Sequence, residues 1–159
     1  MALPCNKDMP ERICSVCPKA RPHRQWASKN FELIHVDIWG AYKCTTHDGC
    51  RYFLVIVDDD SRATWVHLMA SKSNAFPLLQ SFIMFVKNQF DVSVKVVRSD
   101  NGMEFQDHTT IQFYAQQGII YQKSCVDTPQ QNGIVERKQK HLLEVARTLM
   151  IQANLPQKF

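Results

Sequence analysis

With 159 residues, 45% of them hydrophobic and 21% charged, the chain is long enough to bury one core and too short for two large domains. No apolar run approaches the roughly 20 residues that cross a bilayer, and the start at Met1, Ala2, Leu3 and Pro4 carries no secretory leader. Membrane and secreted classes are therefore set aside, and the protein is expected inside the cell. A net charge of +4 and a pI near 8.8 suit a polyanionic partner without requiring one.

Residues 1–30 mix four prolines (Pro4, Pro10, Pro18, Pro22) with basic side chains and hold no sustained period, so they read as a tail ahead of one domain over 31–159. The six cysteines are expected as thiols. Cys14 and Cys17 alone have a metal-ligand spacing, Cys-x2-Cys, which is half of a tetrahedral zinc site and needs two more ligands. From Phe31 to Ile38 apolar and polar residues alternate, predicting a strand with Asp37 near its end. Tyr52–Val57 is a continuous apolar run, as in a strand buried on both faces, and Ala63–Met69 follows closely enough to form a hairpin with it. The three make a meander.

Beyond Ser73, apolar residues at 76, 79, 82, 83, 86 and 90 recur every three or four positions and predict a helix with Pro77 in its first turn. A short strand at Val94–Val97, a short helix at Thr110–Gln117 closed by Gly118, and a strand at Ile119–Tyr121 follow. After a polar loop, a long helix is predicted from about Gln131 to Gln152. At about 100° per residue, Val135, Leu142, Ala146, Leu149 and Ala153 form one stripe, expected to face the core, with Glu136, Lys140 and Arg147 together on the neighbouring side. The element order is three strands, helix, strand, helix, strand, helix.

Three acidic residues fall at strand ends or early in a helix, where side chains converge on one rim of an α/β sheet: Asp37, Asp100 and Glu136. Three carboxylates can hold two magnesium ions about 4 Å apart if one bridges them, the arrangement that phosphoryl transfer uses. Other side chains take plainer readings. Asp58, Asp59 and Asp60 look like a solvated turn, His35 and His67 like packed strand residues, and Trp39, Trp65 and Phe85 like core.

The words around the three acids are His35-Val-Asp-Ile-Trp-Gly, Arg98-Ser-Asp-Asn-Gly-Met-Glu-Phe and Thr128-Pro-Gln-Gln-Asn-Gly-Ile-Val-Glu-Arg, with 35 residues between Asp100 and Glu136. They resemble the Asp, Asp, Glu triad of retroviral and retrotransposon integrases, where thirty-five residues separate the second Asp from the Glu. The 51–59 segment and the helix after Glu136 resemble the copia-type branch in particular, and the likeness runs over about residues 14–159.

The resemblance implies an RNase H-like α/β fold, a mixed five-stranded sheet flanked by helices, in a piece of a Gag-Pol polyprotein. It implies an endonuclease and polynucleotidyl transferase that processes DNA 3′ ends and strand-transfers them with two Mg2+ or Mn2+ ions, Asp37 bridging both and Asp100 and Glu136 completing one each. Gln131, Asn132, Lys138, Lys140 and Arg147 become candidates for DNA phosphates, and Asn101 and Gly102 for shaping the turn after Asp100. Lys138 and Lys140 have a plainer alternative as a solvated helix face. Partners would be element ends, target DNA and further copies of the chain, in the nucleus or a cytoplasmic virus-like particle. Cys14 and Cys17 match the trailing half of an N-terminal zinc module whose histidines are absent from this sequence, and the core is expected to be truncated at its C-terminus. Where the branch carries proline and an aromatic residue, this chain has Ala41 and Asp60. A non-catalytic retroelement relic or DNA-binding fragment, and an RNase H-type nuclease, are the competing readings.

Overall fold

A computed structural model of the chain describes residues 29–100, 102–124 and 133–155. Five strands, β1 (Leu33–Trp39), β2 (Tyr52–Asp58), β3 (Thr64–Met69), β4 (Val96–Ser99) and β5 (Ile120–Lys123), form one sheet in the order β3-β2-β1-β4-β5. The expected meander is present, with β1–β2 and β2–β3 antiparallel. β4 and β5 join parallel to β1 and to each other, so the sheet is mixed. Parallel neighbours need a crossover. Helix α1 (Ala75–Phe90) supplies the first and α2 (His108–Gln117) the second, while α3 (Gly133–Gln152) follows β5.

Local chemistry sets the helix ends. The Ser71 hydroxyl accepts the Ser73 N–H and the Asn74 side-chain oxygen accepts the Ser71 N–H, a reciprocal cap on the 3-10 turn that leads into α1. Asp107 caps α2 by accepting the Thr110 N–H at 2.7 Å, and Gly118, at φ +67°, ends it in the left-handed region.

The strand period of two sorts the side chains onto two faces. Ile34, Val36, Leu54, Ile56 and Val97 pack with Leu79, Phe82, Ile83 and Val86 of α1 and Phe113 and Tyr114 of α2 in the main core. Val55 and Val57 turn to the opposite face and pack with Val135 of α3. The sheet is thus a middle layer, which explains the unbroken apolar run of β2: residues 54–58 are all buried.

Four expectations need correction. Asp58 and Asp59 are not a solvated turn; both are buried, at 0% and 3% exposure. Asp58 accepts the Phe31 N–H at 2.8 Å and the Ser61 N–H and hydroxyl at 2.9 and 2.6 Å. Asp59 pairs with His35 at 3.0 Å and with Arg62 at 3.3 Å, and only Asp60 is exposed. Phe85 is not core, being 44% exposed on α1, whereas Trp65 packs against Phe31 and Phe82 and Trp39 stacks on Phe53. The stripe on α3 is covered only in its first half: Val135 is buried and Leu142 partly so, but Ala146, Leu149 and Ala153 are exposed. The first strand begins at Leu33 and not Phe31, whose φ of +63° breaks the extended run. No helix of the described residues is long and apolar enough to cross a membrane.

Candidate active site

Asp37 is the fifth residue of β1, opposite Val55 of β2, and therefore on the face that α3 covers. Asp100 directly follows β4, the parallel neighbour of β1, so both carboxyl groups come to the same end of the sheet. Burial of Val135 against Val55 and Val57 presses the first turns of α3 onto this face, and Glu136 is the next residue. Three segments far apart in sequence are brought together by one hydrophobic contact and one pair of parallel strands.

The electrostatics follow from this proximity. The Asp37 carboxyl is raised from 3.8 to about 7, first by burial and then by the negative charges of Asp100 and Glu136. The Ile38 N–H, donating to Asp37 Oδ1 at 2.8 Å, and the Gln139 side chain work in the other direction. Asp37 is half-buried, and Asp100 and Glu136 are exposed, so the group opens to solvent on one side.

The loop after Asp100 is tightly built. The Gly102 N–H donates to Asp100 Oδ1 at 3.0 Å, and the Ser99 hydroxyl, 2.7 Å from the Tyr121 hydroxyl, donates to the Asp100 carbonyl at 2.9 Å. A Cβ on Gly102 would stand 2.8 Å from Glu104 Oε2 and 3.1 Å from Asp100 Oδ1, so a larger residue there would push the end of the Glu104 side chain aside and crowd Asp100. Glu104 also pairs with Lys72 at 3.3 Å. Among the described residues no three His, Cys, Asp or Glu side chains close into a ready metal cage. The donor set nonetheless suits a hard divalent cation, because it is all carboxylate oxygen and its mutual repulsion is what a cation would relieve.

Of the predicted DNA contacts, Lys138 is half-buried, while Lys140, 3.9 Å from Glu144, and Arg147 are exposed on α3. Gln131, Asn132, Asn101, Cys14 and Cys17 lie outside the described residues. His35 is the packed residue expected, fully buried beneath Asp37 on the same face, its pKa lowered chiefly by burial against the pull of Asp59. His67 is half-buried and lowered by the same cause. Two neighbours of the site escaped the sequence reading: Glu104, beside Asp100, and Gln139, buried on α3. A signal for Gln139 existed, since it falls about 40° from Val135 toward Glu136 on the helix.

An α/β sheet of this topology, with carboxylates gathered from β1, the end of β4 and α3, defines an RNase H-like domain of integrase type. The model of the integrase core domain family matches residues 27–129, and the chain belongs to that family. The match takes in Asp37 and Asp100 and ends before Glu136. Among its relatives, the retrovirus-related Pol polyprotein from transposon TNT 1-94 of Nicotiana tabacum is 30% identical over 153 residues, 92% of this chain. Those from transposons RE1 and RE2 of Arabidopsis thaliana are 31% and 32% identical over 133 residues, 84% of this chain. This is a retrotransposon integrase core. The chain spans 12% of the first relative's length and 9% of each of the other two. A chain in the structure of a simian T-cell lymphotropic virus intasome in complex with the PP2A regulatory subunit B56 gamma shares the fold, with a TM-score of 0.65 and 20% identity over 91% of this chain and 52% of that one.

Proposed function

We propose that this domain carries out divalent-metal-dependent processing of DNA 3′ ends and their strand transfer, with Asp37, Asp100 and Glu136 as its catalytic carboxylates. One observation carries the reading: Asp37 on β1, Asp100 straight after the parallel neighbour β4, and Glu136 next to Val135, which packs on the register partner of Asp37, come from different elements to one end of the sheet. A like-charged group held together by its scaffold is more useful as a cation site than as a source of stability.

Asp37, Asp100 and Glu136 would together hold the ions. Bound there, Mg2+ or Mn2+ would supply Lewis-acid charge at a phosphodiester and favour in-line attack, first by water and then by a DNA 3′-hydroxyl. The chain's own part is to hold the carboxylates at one rim, favour the charged form of Asp37 through the Ile38 N–H against the effect of burial, and leave one side open to a polymer. Lys138, Lys140 and Arg147 on α3, with Gln131 and Asn132 ahead of it, are proposed to meet DNA phosphates.

The working form is proposed to be a homo-oligomer acting on element ends and target DNA, in the nucleus or a virus-like particle. Residues 31–159 are proposed as the catalytic core, and 1–30 as the remnant of a zinc module in which Cys14 and Cys17 hold Zn2+ only when further ligands are supplied.

The test uses the full chain with Mn2+ and two labelled substrates, a short DNA duplex with an end and an RNA–DNA hybrid. Nicking and strand transfer on the duplex, both lost in Glu136→Gln with DNA binding retained, are expected. Hydrolysis of the hybrid without strand transfer would replace this reading with a nuclease.

A further inference from the structure

Gln139 is the one glutamine that α3 buries, at 7% exposure, and it stands one turn after Glu136. Its Nε2 is buried and completes no well-formed hydrogen bond with any described residue. A buried donor left open carries a penalty of about 1–3 kcal/mol, so a purely structural role would favour an apolar side chain at this position. The neighbour it faces is Asp37: Val135, one turn earlier on the same helix, packs on Val55, and Val55 is the register partner of Asp37 on β1. Asp37 meanwhile has Oδ1 committed to the Ile38 N–H. The amide is thus the side chain of α3 best placed to fix how the Asp37 carboxylate is turned.

We propose that Gln139 is a positioning residue, whose buried amide donates to Asp37 and holds its carboxylate in the orientation that receives a divalent cation. The inference rests on the metal-site reading given above. It adds a fourth residue, which does not touch the ion or the DNA and acts through Asp37. Residues that orient a ligating carboxylate are commonly worth 10–100-fold in metal affinity.

The test measures Mn2+ binding to the full chain by the loss of the free-ion paramagnetic resonance signal, alongside urea unfolding in the absence of metal. Gln139→Met keeps the length of the side chain and removes the amide; Gln139→Leu is the second variant should the first fold poorly. The expected result is a Mn2+ dissociation constant raised about tenfold, with the metal-free unfolding midpoint unchanged or higher. Equal Mn2+ affinity in a folded variant would overturn the positioning role while leaving the metal site intact. If the unsubstituted chain itself binds no Mn2+, the metal-site reading fails first, which is a separate result.

Discussion

Replacing Asp37 by asparagine should stabilise the metal-free protein, and the gain should grow with pH. The carboxyl titrates near 7 in the folded chain against an ordinary 3.8, so the folded state binds a proton that the unfolded chain has already released. The sign follows from linkage: stability from this group is fully present below 3.8 and is lost as pH rises toward 7. At about 1.36 kcal/mol per pH unit the whole interval amounts to roughly 4 kcal/mol, an upper bound reached above pH 7. Because one side of the site is open to water, screening should leave roughly 2 kcal/mol of it. Asparagine keeps an oxygen for the Ile38 N–H and removes only the charge. Urea unfolding at pH 5, 6, 7 and 8 without divalent ions is the assay. The difference between variant and parent should rise across this range and flatten above 7. Excess Mg2+ should then shrink it by stabilising the parent alone. A difference that is flat with pH, or that favours the parent at pH 8, would refute the claim that three carboxylates share this rim.

Two further outcomes follow from the packing. Gly102→Ala drives a Cβ into Glu104 and Asp100, so it should leave the unfolding midpoint within about 1 kcal/mol, because the loop is at the surface, but weaken Mn2+ binding; unchanged binding would mean that the loop relaxes freely. Val135→Ala removes two buried methyl groups from the contact that seats α3 on Val55 and Val57, and should cost about 2 kcal/mol in urea unfolding. Cleavage should fall with it, since the same contact seats Glu136; loss of stability with full cleavage would separate the two.

The order and type of the five strands and three α-helices were legible from the apolar pattern, whereas the short 3-10 turns at Lys72–Asn74 and Met103–Phe105 were not. The alternation of 31–38, the apolar run of 52–57 and the three-four spacing of 76–90 each translate into one structure. Asp37, Asp100 and Glu136 were singled out by their places at strand ends and their flanking words, and the elements that carry them meet at one end of the sheet. What escaped depends on partners distant in sequence. Asp58 and Asp59 look like turn residues until the Phe31 N–H and the ring of His35, 27 and 24 residues away, supply their hydrogen bonds. Periodicity shows which side of α3 is apolar, but not how far the sheet extends beneath it; β1 and β2 meet Val135 and Leu142, and Leu149 lies beyond, 58% exposed. Gln139 was passed over because a polar residue on a core stripe looks like noise until the carboxylate opposite it is known.

The central claim is that the three carboxylates form a working two-metal centre. It is tested most directly by titrating Mg2+ and Mn2+ into the full chain with a short end-bearing DNA duplex, alongside Asp100→Asn. The account predicts nicking that rises with metal and disappears in the variant. Metal-independent nicking, or nicking that survives in Asp100→Asn, would contradict it.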